Sequence, residues 1–290
     1  MMQNTHNSPD TPASAGAFIR WAGSKRSLVP DLMARAPEKF GHYFEPFVGA
    51  GHLFWSLANA GRLEPGEVTL SDNCLPLVRT WRGLREDEDE VIRLLESYPL
   101  SSKWFYRLRS IHPDRLTGDP ELAAWFLYMN RTCFNGLYRV NRQGKFNVPW
   151  GRWEVIGRGP KPVDADAFRA VSRVMSKLEV SLEHRSFEYV LSDSKKGDFV
   201  YFDPPYLPTS KTSDFTSYTP GGFRYDDHVK LRDLALELKK LGVHVMVSNA
   251  DVPRIRELYD ADFQVDVVHA ARSINSKGSG RGKVAEIIAR

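Results

Sequence analysis

Short apolar runs alternate along this chain with stretches whose apolar residues recur every three or four positions. Residues 43–48 read as a strand that enters the glycine turn Gly49-Ala50-Gly51, with a helix following to about residue 60. Residues 68–72 form a second apolar run, ending on Asp72. From about residue 84 to 127 the period is helical, and Leu122, Trp125, Phe126 and Met129 fall on one face as core. The acids from Glu86 to Glu90 suit a first helical turn, where negative charge complements the dipole. Beyond Pro162 the alternation resumes: a helix over 164–177, strands over 180–184 and 200–202, a helix over 227–241 and a strand over 243–247. Two closing strands are expected at 263–269 and 284–288. Strands separated by helices predict an open α/β sheet.

Other stretches lack this pattern. Residues 1–17 are rich in Asn, Ser, Thr, Pro and Ala, offer little to bury, and are expected to form a disordered tail. Order begins at Phe18. Gly23-Ser24 makes a turn, and Ser24 or Ser27 is placed to cap the helix that follows. Residues 138–140 and 145–148 can pair as a hairpin across Arg142-Gln143-Gly144. A loop over 207–226 carries Phe215, Tyr218 and Phe223, and its length points to a functional role or disorder. Residues 272–283, rich in Ser, Gly, Lys and Arg, read as a flexible basic loop.

Charge sharpens the reading of the hairpin. The 290 residues carry a net charge of only +4, yet residues 131–161 hold seven Lys/Arg and one acid, Glu154. Aromatic residues and amides lie between those cations, a mixture that suits phosphates, base edges and stacking. A basic solvated hairpin is the plain alternative. Cys74 and Cys133 make neither a disulfide framework nor a metal site, and no metal is expected. With no signal peptide and no apolar run long enough to span a membrane, a cytoplasmic protein is expected.

Candidate chemistry centres on Val200-Tyr201-Phe202-Asp203-Pro204-Pro205-Tyr206. The tandem prolines end the strand and stiffen the turn, so Asp203 stands at a strand's C-terminal end, where open α/β sheets keep their ligands. A carboxylate, the Pro204 carbonyl and the flat Tyr206 ring can together hold a planar amine and accept its hydrogens. An exposed proline turn is the bland alternative. Gly49 and Gly51 let the backbone approach a ligand, although Phe54 stands where a dinucleotide fingerprint has its third glycine. Asp72, about 20 residues on, can accept from both ribose hydroxyls. The pair points to an adenosine-containing cofactor. Trp21 and Lys25 flank the first turn, and local sequence leaves them open between core or surface and site.

Asp-Pro-Pro-Tyr is the signature of amino-methyltransferases. From Phe18 onward the chain resembles the Dam family of DNA adenine methyltransferases. The resemblance rests on Trp21-Ala22-Gly23-x-Lys25, Glu45-Pro46-Phe47-Val48-Gly49-Ala50-Gly51, Asn135-Gly136-Leu137 through Phe146-Asn147-Val148-Pro149, and Asp203-Pro204-Pro205-Tyr206, in the family's order, with Arg272-Ser273-Ile274 as a weaker fifth block. It implies a Rossmann-like class I methyltransferase sheet over 18–82 and 162–290, with a helical and β-hairpin target-recognition domain inserted at 83–161. It also implies S-adenosylmethionine as cofactor, held by Trp21, Lys25, Asp72 and Asp203, with Phe47, Gly49, Gly51, Ser186 and Phe187 completing the pocket. Asp203, Pro204 and Tyr206 would carry the chemistry. On double-stranded DNA, Phe134 would wedge into the duplex, Asn135 would meet the orphaned thymine, and Arg20, Leu137, Arg139 and Pro149 would read GATC. The family has Tyr at position 134 and Lys at position 20, so Phe134 and Arg20 are departures. Arg152 is expected on phosphates. A monomer with no obligate protein partner is expected. Methylation of RNA or of a protein amide, and a non-catalytic DNA-binding module, are the alternatives; the intact Asp-Pro-Pro-Tyr argues against the last.

Overall fold

The computed structural model describes residues 14–156, 159–207, 222–271 and 283–290. Its centre is a seven-stranded sheet built from β1 (Tyr43–Glu45), β2 (Val68–Asp72), β3 (Ser181–His184), β4 (Phe199–Phe202), β5 (His244–Ala250), β6 (Val265–Ala271) and β7 (Lys283–Ala289). The order is β3-β2-β1-β4-β5-β7-β6. β1 to β5 run parallel, and β7 runs antiparallel between β5 and β6. This is the Rossmann-like open sheet that the resemblance implies. Its strand order reverses between β1 and β4, and open sheets of this kind bind ligands beyond the strand ends at such a switch point. The Gly49 turn follows β1 and Asp203 follows β4, so the topology sets the two candidate blocks side by side.

The strands are buried on both faces, which explains their continuous apolar runs. Side chains alternate between two cores. Tyr43, Phe199, Tyr201, Met246 and Ile288 join one. Phe44, Val200, Phe202, Val245, Val247 and Ile287 join the other, with helices α10 (Tyr225–Lys240) and α11 (Pro253–Tyr259). The first core also takes in α2 (His52–Asn59) and, between β2 and β3, α3 (Leu75–Glu86), α4 (Glu88–Ser97), α5 (Ser102–Arg109), α6 (Asp119–Thr132) and α8 (Ala165–Lys177); α7 (Trp153–Ile156) and α9 (Val190–Asp193) are four-residue helices. The acidic run caps α4: the Asp87 side chain accepts from Glu90 N–H at 3.0 Å.

Some expectations change. The first helix, α1 (Val29–Arg35), has Leu28 at its N-cap without a side-chain cap, and Pro30 lies in its first turn. Ser24 Oγ instead lies 2.7 Å from His52 Nε2. The expected hairpin narrows to one bridge, Val140 with Phe146, because the Asn141 side chain takes the N–H groups of Gln143 and Lys145 and folds the strands' inner ends into a turn. The tail expected to Ala17 is ordered from its end: Ala15 is buried and its carbonyl accepts from Asn59 Nδ2 at 2.7 Å. Residues 1–13, most of the 207–226 loop including Phe215 and Tyr218, and the 272–282 segment with Arg272-Ser273-Ile274 lie outside the described residues. Helix α11 was not expected. Among the described residues no helix is long and apolar enough to cross a membrane.

Helix α3 meets the start of α6 at Gly83, where a Cβ would lie 2.4 Å from the Asp119 carbonyl oxygen. Gly83→Ala is expected to cost about 1–3 kcal/mol, the scale of overpacking a close contact. Thermal unfolding should show a lowered Tm, and an unchanged Tm would contradict the tight crossing.

Candidate active site and nucleic-acid interface

β4 delivers Asp203 to the switch point, and the N-terminal turn brings Lys25 to meet it. Lys25 Nζ lies 2.8 Å from Asp203 Oδ1. The same ammonium donates to the Gly23 carbonyl at 2.7 Å and sits 4.4 Å from the centroid of the Tyr206 ring. Its three N–H groups therefore meet a carboxylate, a carbonyl and a π face. Lys25 is only 5% exposed, so it belongs to the site rather than to the surface. Ser248, at the end of β5, donates to the same Asp203 oxygen at 2.9 Å. Burial pushes the Asp203 carboxyl above its ordinary value, while Lys25 and Ser248 hold it down. Pro204 is buried, Tyr206 is half-buried, and the Tyr206 hydroxyl donates to Glu286 on β7. Below them Glu45 is buried, accepts from the Tyr43 hydroxyl at 2.7 Å, and is pushed up to about 8 by burial.

The glycine turn holds the second group. Gly49 N–H donates to Asp72 Oδ2 at 3.2 Å and Cys74 N–H to Oδ1 at 2.9 Å. Burial raises Asp72 to about 6 against these backbone donors. The carboxylate keeps lone pairs for hydroxyl donors, so it fits a ribose. Gly49 and Gly51 have φ of 47° and 65°, a region that L side chains avoid. A Cβ on Gly49 would also lie 2.6 Å from Trp21 Cδ1. Trp21 is thus pressed on the turn, and its ring stacks on Tyr138 at 5.8 Å and Phe126 at 6.3 Å. Phe47 stacks on Phe187 at 5.4 Å, with Phe223 edge-on at 5.6 Å. Ser186 is exposed and donates to Glu188. A polar turn beside an aromatic cluster at one switch point suits a nucleoside cofactor. Among the described residues no group of His, Cys, Asp and Glu is set to hold a metal.

The basic segment is bound together by its own contacts. Phe134 N–H donates to the Pro149 carbonyl at 2.9 Å, and the Arg152 guanidinium lies 5.4 Å from the Phe134 ring centroid. Asn135 is exposed in a left-handed conformation, φ 56°, which Asn tolerates. Leu137 is half-buried, and its carbonyl faces Cys133 Sγ at 3.2 Å. Arg139 Nε donates to Asn147 Oδ1 at 2.7 Å, which holds the guanidinium by its inner edge. Arg20 comes from far up the chain: a Cβ on Gly136 would lie 2.4 Å from Arg20 Cδ.

Sequence reasoning missed the residues that make these junctions. Asn130, 1% exposed, accepts from Arg20 N–H and donates to the carbonyls of Arg20 and Gly136. Its only signal was an amide in an apolar helical run. Ser248 and Glu286 looked like ordinary strand residues, and Glu45 entered only as part of a motif.

A family model described as D12 class N6 adenine-specific DNA methyltransferase matches residues 21–274. The Type II methyltransferase M1.LlaDCHI of Lactococcus lactis subsp. cremoris is 40% identical over 276 residues, covering 93% of this chain and 93% of that protein. The Type II methyltransferase M.MjaIII of Methanocaldococcus jannaschii is 33% identical, covering 91% and 94%. A DNA adenine methylase of Vibrio cholerae is 34% identical, covering 94% and 95%. With the sheet order, the Asp203 site and these matches in agreement, the chain belongs to the D12 class of N6 adenine-specific DNA methyltransferases.

Proposed function

We propose that this adenine-specific DNA methyltransferase modifies the adenine of GATC in double-stranded DNA, acting as a cytoplasmic monomer on a base flipped out of the stack. Residues 83–161 would form the target-recognition part, and 18–82 with 162–290 the catalytic part. The family implies S-adenosylmethionine as methyl donor, and that cofactor would supply an electrophilic methyl group on sulfonium sulfur. Asp72 would take its ribose hydroxyls, with Trp21, Lys25, Phe47, Gly49, Gly51, Ser186 and Phe187 around it.

The observation that carries this reading is the Asp203 carboxylate, held through one oxygen by Lys25 and Ser248 at the mouth of the sheet. Adenine N6 is a poor nucleophile because its lone pair is delocalised into the ring. Asp203 and the Pro204 carbonyl accept its two N–H groups and favour a more tetrahedral nitrogen. The gain lies in orientation and preorganised electrostatics, and the proton leaves after charge has built on nitrogen. Lys25 occupies one face of Tyr206, and the other face would stack on the base. N6 inside a duplex is out of reach of this geometry, which favours flipping. Phe134 would fill the gap with Asn135 against the orphaned thymine.

For sequence reading, Arg139, held at Nε by Asn147, would turn its two terminal nitrogens to guanine O6 and N7. Leu137 and Pro149 suit a thymine methyl. Arg20, packed on Gly136, would face the first guanine as a planar fork. Arg152 would hold phosphate.

Tritium transfer from labelled cofactor to duplex DNA tests the activity. Asp203→Ala should lower single-turnover methylation by about 10²–10³-fold or more, the scale of losing one preorganised contact, with the fold kept at a lowered Tm because the buried Lys25 loses its partner. A wild-type rate would sink the catalytic reading.

Phe134→Ala should slow methylation of paired duplex more than of duplex mismatched at the target adenine, because a mismatch removes part of an unstacking cost of a few kcal/mol. Equal slowing on both would refute the wedge.

A methylation map of a random-sequence library addresses recognition. Arg139→Ala should lose about 1–3 kcal/mol of discrimination at one outer base pair, roughly tenfold to over a hundredfold, whereas Arg152→Ala should weaken all sites alike. A map without GATC, or one unchanged by Arg139→Ala, would end the GATC reading.

A further inference from the structure

Ser248 has no solvent exposure and stands between two groups. Its Oγ is 2.9 Å from Asp203 Oδ1 and 3.0 Å from the Tyr201 hydroxyl. A serine hydroxyl has one proton to donate, and an ionised carboxylate has none. The Ser248 proton therefore goes to Asp203, and Tyr201 must donate to Ser248. Burial and the nearby Asp203 charge hold the Tyr201 phenol well above its ordinary value, so its proton stays in place. The chain Tyr201 to Ser248 to Asp203 thus runs in one direction. It reaches the same oxygen that Lys25 holds. Among the described residues, none bonds Asp203 Oδ2.

We propose that Ser248, backed by Tyr201, is a positioning residue that pins Oδ1 of Asp203 and so aims Oδ2 at the substrate amine. This rests on the reading of Asp203 as the acceptor of the N6 hydrogens. Two donors on one oxygen fix the carboxylate's rotation, which a lone lysine on a flexible stem does not. The two strand-borne hydroxyls, on β4 and β5, add the rigidity, since both strands are buried and paired in register.

The pairing also has an electrostatic consequence. The titratable and hydrogen-bonding groups around Asp203 are Lys25 from the N-terminal turn, Tyr43 and Glu45 on β1, Tyr201 on β4, Ser248 on β5, Tyr206, and Glu286 on β7 behind Tyr206. Removing the Ser248 hydroxyl deletes a donor that favours the ionised carboxylate, so the Asp203 pKa rises. The acid limb of the rate then moves to higher pH.

The test is single-turnover methylation of duplex DNA against pH, with equilibrium binding of duplex and of cofactor measured alongside. Ser248→Ala should lower the rate at neutral pH by about 10–100-fold, the scale of a hydrogen bond to a charged group. It should move the acid limb upward and leave both affinities unchanged. Ser248→Thr, which keeps the hydroxyl, should restore rate and limb, and Tyr201→Phe should move the limb the same way by less. An unmoved limb in Ser248→Ala, a Thr variant as impaired as Ala at wild-type Tm, or a loss seen only in binding would each overturn the proposal. Should Ser248→Ala fail to fold, an unmoved limb in Tyr201→Phe overturns it as well. A fully active Asp203→Ala would instead remove the underlying catalytic reading.

Discussion

The contact between Lys25 and Asp203 is the constraint on which the rest of the site depends. It joins an N-terminal turn to the end of the central strand, over a gap that no local pattern closes. A buried ion pair is weak as a source of stability, because desolvating both charges offsets most of their attraction. Its value here is positional. The lysine seats itself on Gly23, Asp203 and the Tyr206 ring at once, so the turn, the carboxylate and the aromatic plate have one relative arrangement. Because both charges are satisfied, the carboxylate can stand at the switch point with one oxygen held by Lys25 and Ser248 and the other unbonded among the described residues.

From that point the site spreads through packing. Trp21, four residues before Lys25, is pressed on the Gly49 turn and stacked on Tyr138 and Phe126. One ring therefore touches both the candidate cofactor turn and the segment that carries Arg139. Asn130 makes a second junction, tying the Arg20 backbone to the Gly136 turn by a buried amide whose hydrogen bonds are to backbone. Groups proposed to read bases and groups proposed to hold the cofactor are thereby parts of one packed body. A shift in the recognition segment would have to be accommodated by the cofactor turn, since packed interiors yield little to small displacements.

Much of this was legible beforehand for a definite reason. Strand identity is a property of short apolar runs, and the parallel sheet buries those runs on both faces, so β1, β2, β4 and β5 could be read directly. Glycines at positive φ and a proline pair after a strand are likewise local demands of the backbone, which is why the Gly49 turn and the Asp203 turn stood out. Asp-Pro-Pro-Tyr and the ordered blocks around it carried the family resemblance, and the matched family agrees with it.

What the sequence by itself determined, then, was most of the strands, the turn chemistry and the family, because each is encoded within a few neighbouring residues. Only the tertiary structure decided whether Lys25 was a surface cation or a buried partner, that Ser248 and Tyr201 stand behind Asp203, and that Arg20 packs on Gly136. It also decided that Ala15 is anchored and that the 138–148 hairpin closes on a single bridge. These are pairings between residues distant in the chain or competitions between side chain and backbone for the same donor. Their outcome depends on which groups the closed sheet brings within hydrogen-bonding distance, and a linear pattern of polar and apolar positions contains no such distance.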